Sequence, residues 1–296
     1  MARKINIVSE PVEEWGGSWT ERKLNAFSKY VRSYLTIMKK YPYWETIYFD
    51  GFAGSGKREQ RKNSNLIKLL KITEEEEQTY KGAAERVLSL PEPGFDYYYL
   101  IDKNEQSLRK LKEKFGKAFK DKKIEYRADD ANLQLKKLAQ ALKTKKYAAL
   151  IFLDPFGMQI NWESIAELKE TRSDIWILVP TGVIVNRLLN RSGEIKFPKK
   201  LESFFGLSIE EIKTHFYEQK ETHTLFGEQE KIITKVARPI HKIATLYVQQ
   251  LKTIWKHITE EPLVLKNSYG VPIFHFVFAS NNENAKKIAK QIIEKT

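Results

Sequence analysis

Apolar residues recur at helical spacing near the start of the chain. Leu24, Phe27, Tyr30, Val31, Tyr34, Leu35 and Met38 share one face behind Thr20, which predicts a helix capped at Thr20 and ended by Pro42. The period then changes. Thr46-Ile47-Tyr48-Phe49 is a short continuous apolar run followed at once by glycines, the pattern of a buried strand. Further strand runs are Tyr97–Ile101, Ile124–Arg127, Ala148–Leu153 and Asp174–Pro180. Helical patterns alternate with them at Asn65–Ile72, Glu105–Phe119, Leu133–Leu142 and Trp162–Leu168. The alternation predicts a doubly wound parallel sheet, and strands that are apolar throughout predict a sheet covered on both faces.

From Asn186 to Glu261 the strand signal disappears and helical patterns predominate, notably at Ile209–Glu218 and Lys231–Ile258. Leu263–Leu265 and Ile273–Ala279 then read as a hairpin joined through Asn267-Ser268-Tyr269-Gly270, with a closing helix at Asn284–Glu294. The expected organisation is an N-terminal helical segment (1–45), a Rossmann-like core (46–185), a helical insertion or lid (186–262), and a C-terminal hairpin and helix (263–296) that complete the core.

Composition removes several chemistries. The chain has 296 residues, 42% of them hydrophobic, enough for one sizeable core with an added lobe. It has no cysteine, so disulfides, thiolate metal sites and a cysteine nucleophile are excluded, and with them pyrimidine C5 methylation through a thiol adduct. The histidines (His215, His223, His241, His257 and His275) include no pair at metal-ligand helical spacing, and no metal is expected. No apolar run approaches the roughly 20 residues that span a bilayer. Met1-Ala2-Arg3-Lys4-Ile5 is not followed by an apolar signal region. The expectation is a cytoplasmic protein with no membrane partner. The net charge of +13 fits either a nucleic-acid partner or solvated, lysine-rich helix faces.

Ligands of open α/β sheets sit at the carboxyl ends of the strands, so the residues after each strand carry the candidate chemistry. Asp50-Gly51-Phe52-Ala53-Gly54-Ser55-Gly56 follows the first strand. Its glycines permit a tight turn and a close approach to a ligand, and Asp50 can pair with an ammonium. The segment Gly51–Lys57 also fits the G-x-x-x-x-G-K frame of a phosphate-binding loop, with Leu150–Asp154 as its companion strand. Arg58, however, stands where Ser or Thr would hold magnesium, and Pro155 follows Asp154 where a Glu is expected. The alternative, an S-adenosylmethionine (SAM) site, uses more of the chain. Asp50, Gly51, Phe52, Gly54 and Gly56 cradle the methionine part, Asp102 at the second strand tip takes the ribose hydroxyls, and Asp129 at the third takes the adenine edge. Asp154, Pro155 and Phe156 after the fourth strand would receive the methyl acceptor: a carboxylate can accept from an amine, and an aromatic ring can stack on a flipped base. Asp102, and the acids of Ala128–Asn132, also suit plain helix caps.

Lys57, Arg58, Arg61 and Lys62 directly follow the loop and could track a phosphate backbone. The lysines of Lys103–Lys123 read as a solvated helix face. Trp15, Trp19, Tyr41, Tyr43 and Trp44 are candidate platforms for unpaired bases, or simply core.

Three segments carry a family resemblance: Tyr48–Gly56, Ile151–Gln159 with its Asp154-Pro155-Phe156-Gly157-Met158-Gln159 motif, and Pro272–Ser280. With Thr20–Leu24 and Phe204-Phe205-Gly206, they resemble the three-Cys-motif partner (TcmP) proteins over nearly the whole chain. The resemblance implies a class I SAM-methyltransferase-like fold, here with a mostly parallel seven-stranded sheet. It also implies a separate partner protein that bears the three cysteines. Asp154-Pro155-Phe156-Gly157 differs from the [D/N]-P-P-[F/Y] motif of amino-directed nucleic-acid methyltransferases by one proline, and by the glycine after the aromatic.

Overall fold

The computed structural model describes residues 18–55, 82–155, 157–223, 229–267 and 269–296. The first helix, α1 (Ser18–Met38), is already helical before Thr20, so Thr20 lies within it and does not cap it. Then come β1 (Glu45–Asp50), α2 (Ala83–Leu88), β2 (Tyr97–Ile101), α3 (Glu105–Ala118), β3 (Ile124–Arg127), α4 (Ala131–Leu142), β4 (Tyr147–Leu153), α5 (Trp162–Ala166) and β5 (Ser173–Val179). The predicted helix Asn65–Ile72 and the acidic run Glu74–Glu77 lie outside the described residues.

Strands β1 to β5 pair in parallel in the order β3-β2-β1-β4-β5. Beyond β5 lies β10 (Pro272–Ser280), antiparallel to it. β10 also pairs antiparallel with β8 (His257–Ile258) and with β9 (Leu263–Lys266). The result is a mixed α/β layout of Rossmann-like kind around a mostly parallel sheet, eight-stranded because the last position is shared by β8 and β9. The predicted Leu263–Ala279 hairpin is β9–β10, and the closing helix is α9 (Glu283–Glu294).

Alternate strand residues feed two cores. Phe49, Ile151, Leu153, Ile177 and Val277 face one side with Leu135 and Ala139 of α4, and Tyr48, Leu150, Phe152, Trp176 and Phe276 face the other with Phe27, Tyr30 and Val31 of α1. Burial on both faces explains why these strands read as unbroken apolar runs.

The inserted region departs from the all-helical expectation. Residues after the π-helical turn Thr181–Val185 form α6 (Pro198–Phe205) and α7 (Ile209–Phe216), and then a hairpin of β6 (Tyr217–His223) and β7 (Gln229–Lys235). Only from Pro239 does a helix, α8 (Pro239–Leu251), run, and His257–Ile258 are strand. Helical periodicity over Lys231–Ile258 was therefore misleading. Ile232, Ile233 and Thr234 are β-branched and pair across to Lys220, Gln219 and Glu218. Arg238 turns left-handed (φ 51°) immediately before Pro239, whose fixed φ suits the first helical position. Lys235 anchors the hairpin by donating to the carbonyl oxygens of Asn186 (2.7 Å) and Leu189 (2.6 Å). Among the described residues no helix is long and apolar enough to cross a membrane.

Gly182 sits where the π turn crosses β10. A Cβ there would lie 2.0 Å from the Pro272 carbonyl oxygen, which is backbone and cannot rotate away. Gly182→Ala is expected to destabilise the fold by about 1–3 kcal/mol. Gly116→Ala in α3, where among the described residues a Cβ meets nothing within 4 Å, should stabilise it by about 0.5–1 kcal/mol. Urea unfolding of both variants checks the opposite signs.

Candidate functional site

β1 delivers Asp50 to the carboxyl edge on the α1 side of the sheet. Its carboxyl is 2% exposed and accepts from the Phe52 N–H (3.1 Å) and the Tyr48 hydroxyl (3.0 Å), closing the turn from inside. Gly51 N–H donates to the Phe152 carbonyl (3.0 Å) and Ala53 N–H to that of Ile101 (2.8 Å), which stitches the loop to β4 and β2. Glycine at position 51 lets Leu153 pack close, since a Cβ would stand 2.7 Å from Leu153 Cδ2 and that buried side chain would have to shift. Gly54 is left-handed (φ 60°), and among the described residues an added Cβ would meet nothing within 4 Å.

Gly54 N–H donates to Asp102 Oδ2 at 2.9 Å, and Asn104 N–H donates to Oδ1 at 2.7 Å. Asp102 is therefore a brace between the first two strand tips. The cap of α3 is Asn104, whose side chain accepts from Ser107 N–H at 3.1 Å. The four N–H groups of Gly51, Phe52, Ala53 and Gly54 are all used internally. A phosphate nest needs such donors free.

At the β3 tip, Asp129 accepts from Gln134 Nε2 (2.6 Å) and from the Asp130 N–H (2.8 Å). These bonds, led by Gln134, hold its carboxyl below the usual carboxylate value. Asp130 is the α4 cap and accepts from Asn132 N–H at 2.8 Å. Asn132 in turn bridges to the loop after β4, donating to the Gln159 carbonyl (2.9 Å) and accepting from Asn161 N–H (2.8 Å).

At the β4 tip, Asp154 Oδ2 pairs with Lys23 Nζ of α1 at 2.5 Å; the side chains are 18% and 3% exposed. Pro155 is buried beside it. Lys23 was not among the residues expected at the site. It precedes Phe27 by one helical turn, and thus lies on the buried stripe of α1. A lysine on such a stripe signals a carboxylate partner. A second unforeseen pair is Thr181 Oγ1 with His275 Nδ1, 2.7 Å apart and buried where β5 ends and β10 begins; burial lowers the His275 value to about 4, leaving the ring neutral.

The structure thus brings Asp50, Asp102 and Asp154 together at adjoining strand tips. Asp50 registers both neighbours: burial is the largest cause raising its carboxyl to about 7, and the charges of Asp154 and Asp102 add to it. Gly56, Lys57, Arg58, Arg61, Lys62 and Phe156, together with Trp15, lie outside the described residues. The lysine-rich α3 region is partly neutralised, with Lys114 paired to Glu85 (2.6 Å) and Lys122 to Glu92 (2.5 Å).

Compared with known proteins, the chain matches no family model and no curated protein. Among solved structures it is similar to protein LPL1258 from Legionella pneumophila str. Philadelphia 1, described with the family-model DUF519. The identity is 13%, with 92% of this chain and 99% of that chain covered, at a TM-score of 0.42. So distant a likeness assigns no residue a role.

The buried Asp50 carboxyl generates a test. Its folded-state value of about 7 lies above the ordinary 3.8, so the folded protein holds this proton more tightly than the unfolded chain. Stability contributed by the group is therefore lost as pH rises from about 4 to about 7, by roughly 4 kcal/mol in all. Asp50→Asn keeps the acceptor for Phe52 N–H and removes the titration. Wild type should lose ground to this variant in urea midpoints measured at rising pH across that window. A constant difference between the two would refute the assignment.

Proposed function

We propose that the chain is a SAM-dependent methyltransferase of class I fold that N-methylates a nucleic-acid base or a related amine. The observation that carries the reading is the Gly54–Asp102 hydrogen bond, which sets the left-handed glycine turn beside a half-exposed carboxylate at the tips of β1 and β2. The strand order, with antiparallel β10 set between β5 and the last strands, supports the same fold class. So does the likeness of the strand-tip motifs to TcmP proteins, with which a cysteine-bearing partner protein would come.

Each Asp102 oxygen accepts one backbone N–H and retains a lone pair for a ribose hydroxyl. Gly54 takes the amino-acid part, and Asp129 at the β3 tip is assigned to the adenine amine. Asp50 acts from beneath, fixing the turn. When bound, SAM supplies an electrophilic methyl group. Asp154, with Pro155 and Phe156, then orients the acceptor amine, and Lys23 fixes the direction of Asp154. The N–H groups of residues 51–54, the first half of the phosphate-loop frame, are used internally and are not free for a phosphate. A second reading, a catalytically silent partner subunit for another enzyme or for nucleic acid, draws on the Lys23–Asp154 ion pair, which occupies one oxygen of the acceptor-binding carboxylate.

Calorimetric titration of the protein with SAM should show binding that Asp102→Ala weakens tenfold or more, the scale of losing two charged hydrogen bonds. Absence of heat with wild type would defeat the proposal. Labelled methyl transfer into total nucleic acid, followed by separate nuclease digestions, identifies the acceptor. Asp154→Ala strands the buried Lys23 charge, so Asp154→Asn is the cleaner variant. It should retain SAM binding and lose transfer, whereas binding without transfer in wild type itself favours the silent subunit.

A further inference from the structure

At the opposite, amino-terminal edge of the sheet lies a cleft of about 940 Å³, between the end of α1, the starts of β4 and β5, and the end of α8. β4 spans seven residues, so the two edges stand about 20 Å apart. The volume falls in the usual range for small-ligand sites, about 300–1,000 Å³.

The chemistry of its walls is asymmetric. On the rim, Arg172 sits over the Trp44 ring, its guanidinium carbon 3.7 Å from the ring centroid. Among the described residues no carboxylate pairs with Arg172, Lys40, Lys169 or Lys256; of the lining cations only Lys252 is paired, to Glu260 at 3.6 Å. Glu170 is the one acid on the rim, and Asp174 lies at the floor. Asp174 is half-buried and accepts from the Tyr30 hydroxyl (2.6 Å) and the Ser280 hydroxyl (2.5 Å). Each of its oxygens keeps a further lone pair. Tyr34, 7% exposed, lines the same cleft, and its buried hydroxyl has no hydrogen-bond partner among the described residues. Tyr41, 39% exposed, adds a flat apolar wall.

Unpaired cations outside, aromatic walls between and a carboxylate within match the three parts of one nucleotide. A phosphate fits the preorganised guanidinium. A planar base fits the aromatic side chains and the guanidinium plane. Amine and ring N–H donors of a base fit a carboxylate acceptor. We propose that this cleft binds a nucleoside monophosphate unit, with its phosphate on the lysine rim and the edge of Arg172, its base against the exposed Tyr41 ring and the outer face of the Arg172 guanidinium that Trp44 backs, and its N–H edge on Asp174. The unit is either a free nucleotide or one residue of a single strand. The site is separate from the strand-tip loop and does not depend on the methyltransferase reading.

Titration of the full chain with GMP and with a short single-stranded oligonucleotide, followed by calorimetry and tryptophan fluorescence, tests this. Binding is expected for at least one probe, and stronger binding of the oligonucleotide would identify the strand as the source. Arg172→Ala, at an exposed position, should weaken it tenfold or more, and Asp174→Asn should weaken GMP while sparing ribose 5-phosphate. Asp102→Ala should leave it unchanged. No binding of either probe, binding that survives Arg172→Ala, ribose 5-phosphate binding as tightly as GMP, or loss in Asp102→Ala would each overturn the proposal.

Discussion

The geometry of the strand-tip loop hangs on the burial of one carboxyl. Asp50 sits at 2% exposure under the turn that β1 makes, and its bonds to Phe52 N–H and the Tyr48 hydroxyl fix where the chain leaves the strand. That exit path sets Gly54 within reach of Asp102, and the Gly54–Asp102 bond ties the β1 loop to the β2 tip. Burying a carboxyl is costly unless it is neutralised or hydrogen-bonded. Both happen here: two donors face it, and desolvation moves its titration up to about 7. The loop can therefore hold its shape with the backbone donors of residues 51–54 satisfied internally.

What the sequence made legible follows from periodicity and from topology. β1 to β5 are short apolar runs because both faces are covered, and their last residues fall at one edge because parallel strands end on the same side. Asp50, Asp102, Asp129 and Asp154 could therefore be placed at strand tips from spacing alone. What stayed hidden depends on contacts between distant segments. Lys23 meets Asp154 across 131 positions, and Thr181 meets His275 across 94. No local pattern records either, though a lysine on the buried stripe of α1 was a usable sign. The β6–β7 hairpin was missed because Ile232 and Ile233, at 40% and 47% exposed, do not form a buried strand face. With no core to impose alternation, only β-branching and the Arg238-Pro239 break distinguished it from the helix that follows.

Two acidic groups at opposite edges show how the same fold uses burial differently. Asp50 and Asp174 both bond hydroxyls of buried tyrosines, Tyr48 and Tyr30, and desolvation raises both, to about 7 and about 6. Asp50 is sealed by its own loop and has carboxylate neighbours. Asp174 lies open to a cleft whose rim is cationic. A sealed acid braces structure; an accessible one beside unpaired guanidinium and ammonium groups offers a ligand complementary contacts. Tyr30 and Tyr34 of the cleft stand on the helix that also carries Lys23.

The Lys23–Asp154 pair bears on the proposed role of the β4 tip. Of the two Asp154 oxygens the ammonium is hydrogen-bonded to Oδ2; Oδ1 has no hydrogen-bond partner among the described residues, and the Asp154 side chain is 18% exposed. An ion pair that occupied both oxygens would leave an acceptor amine nothing to bond. One that takes a single oxygen fixes the plane of the carboxylate and presents the other in a set direction. For methyl transfer, where positioning supplies much of the rate, a carboxylate clamped from behind by a buried lysine is better suited than a free one. The clamp also explains why the lysine is buried in a helix that otherwise packs apolar residues on the sheet: α1 serves at once as the cover of one core and as the support for the acid at the β4 tip.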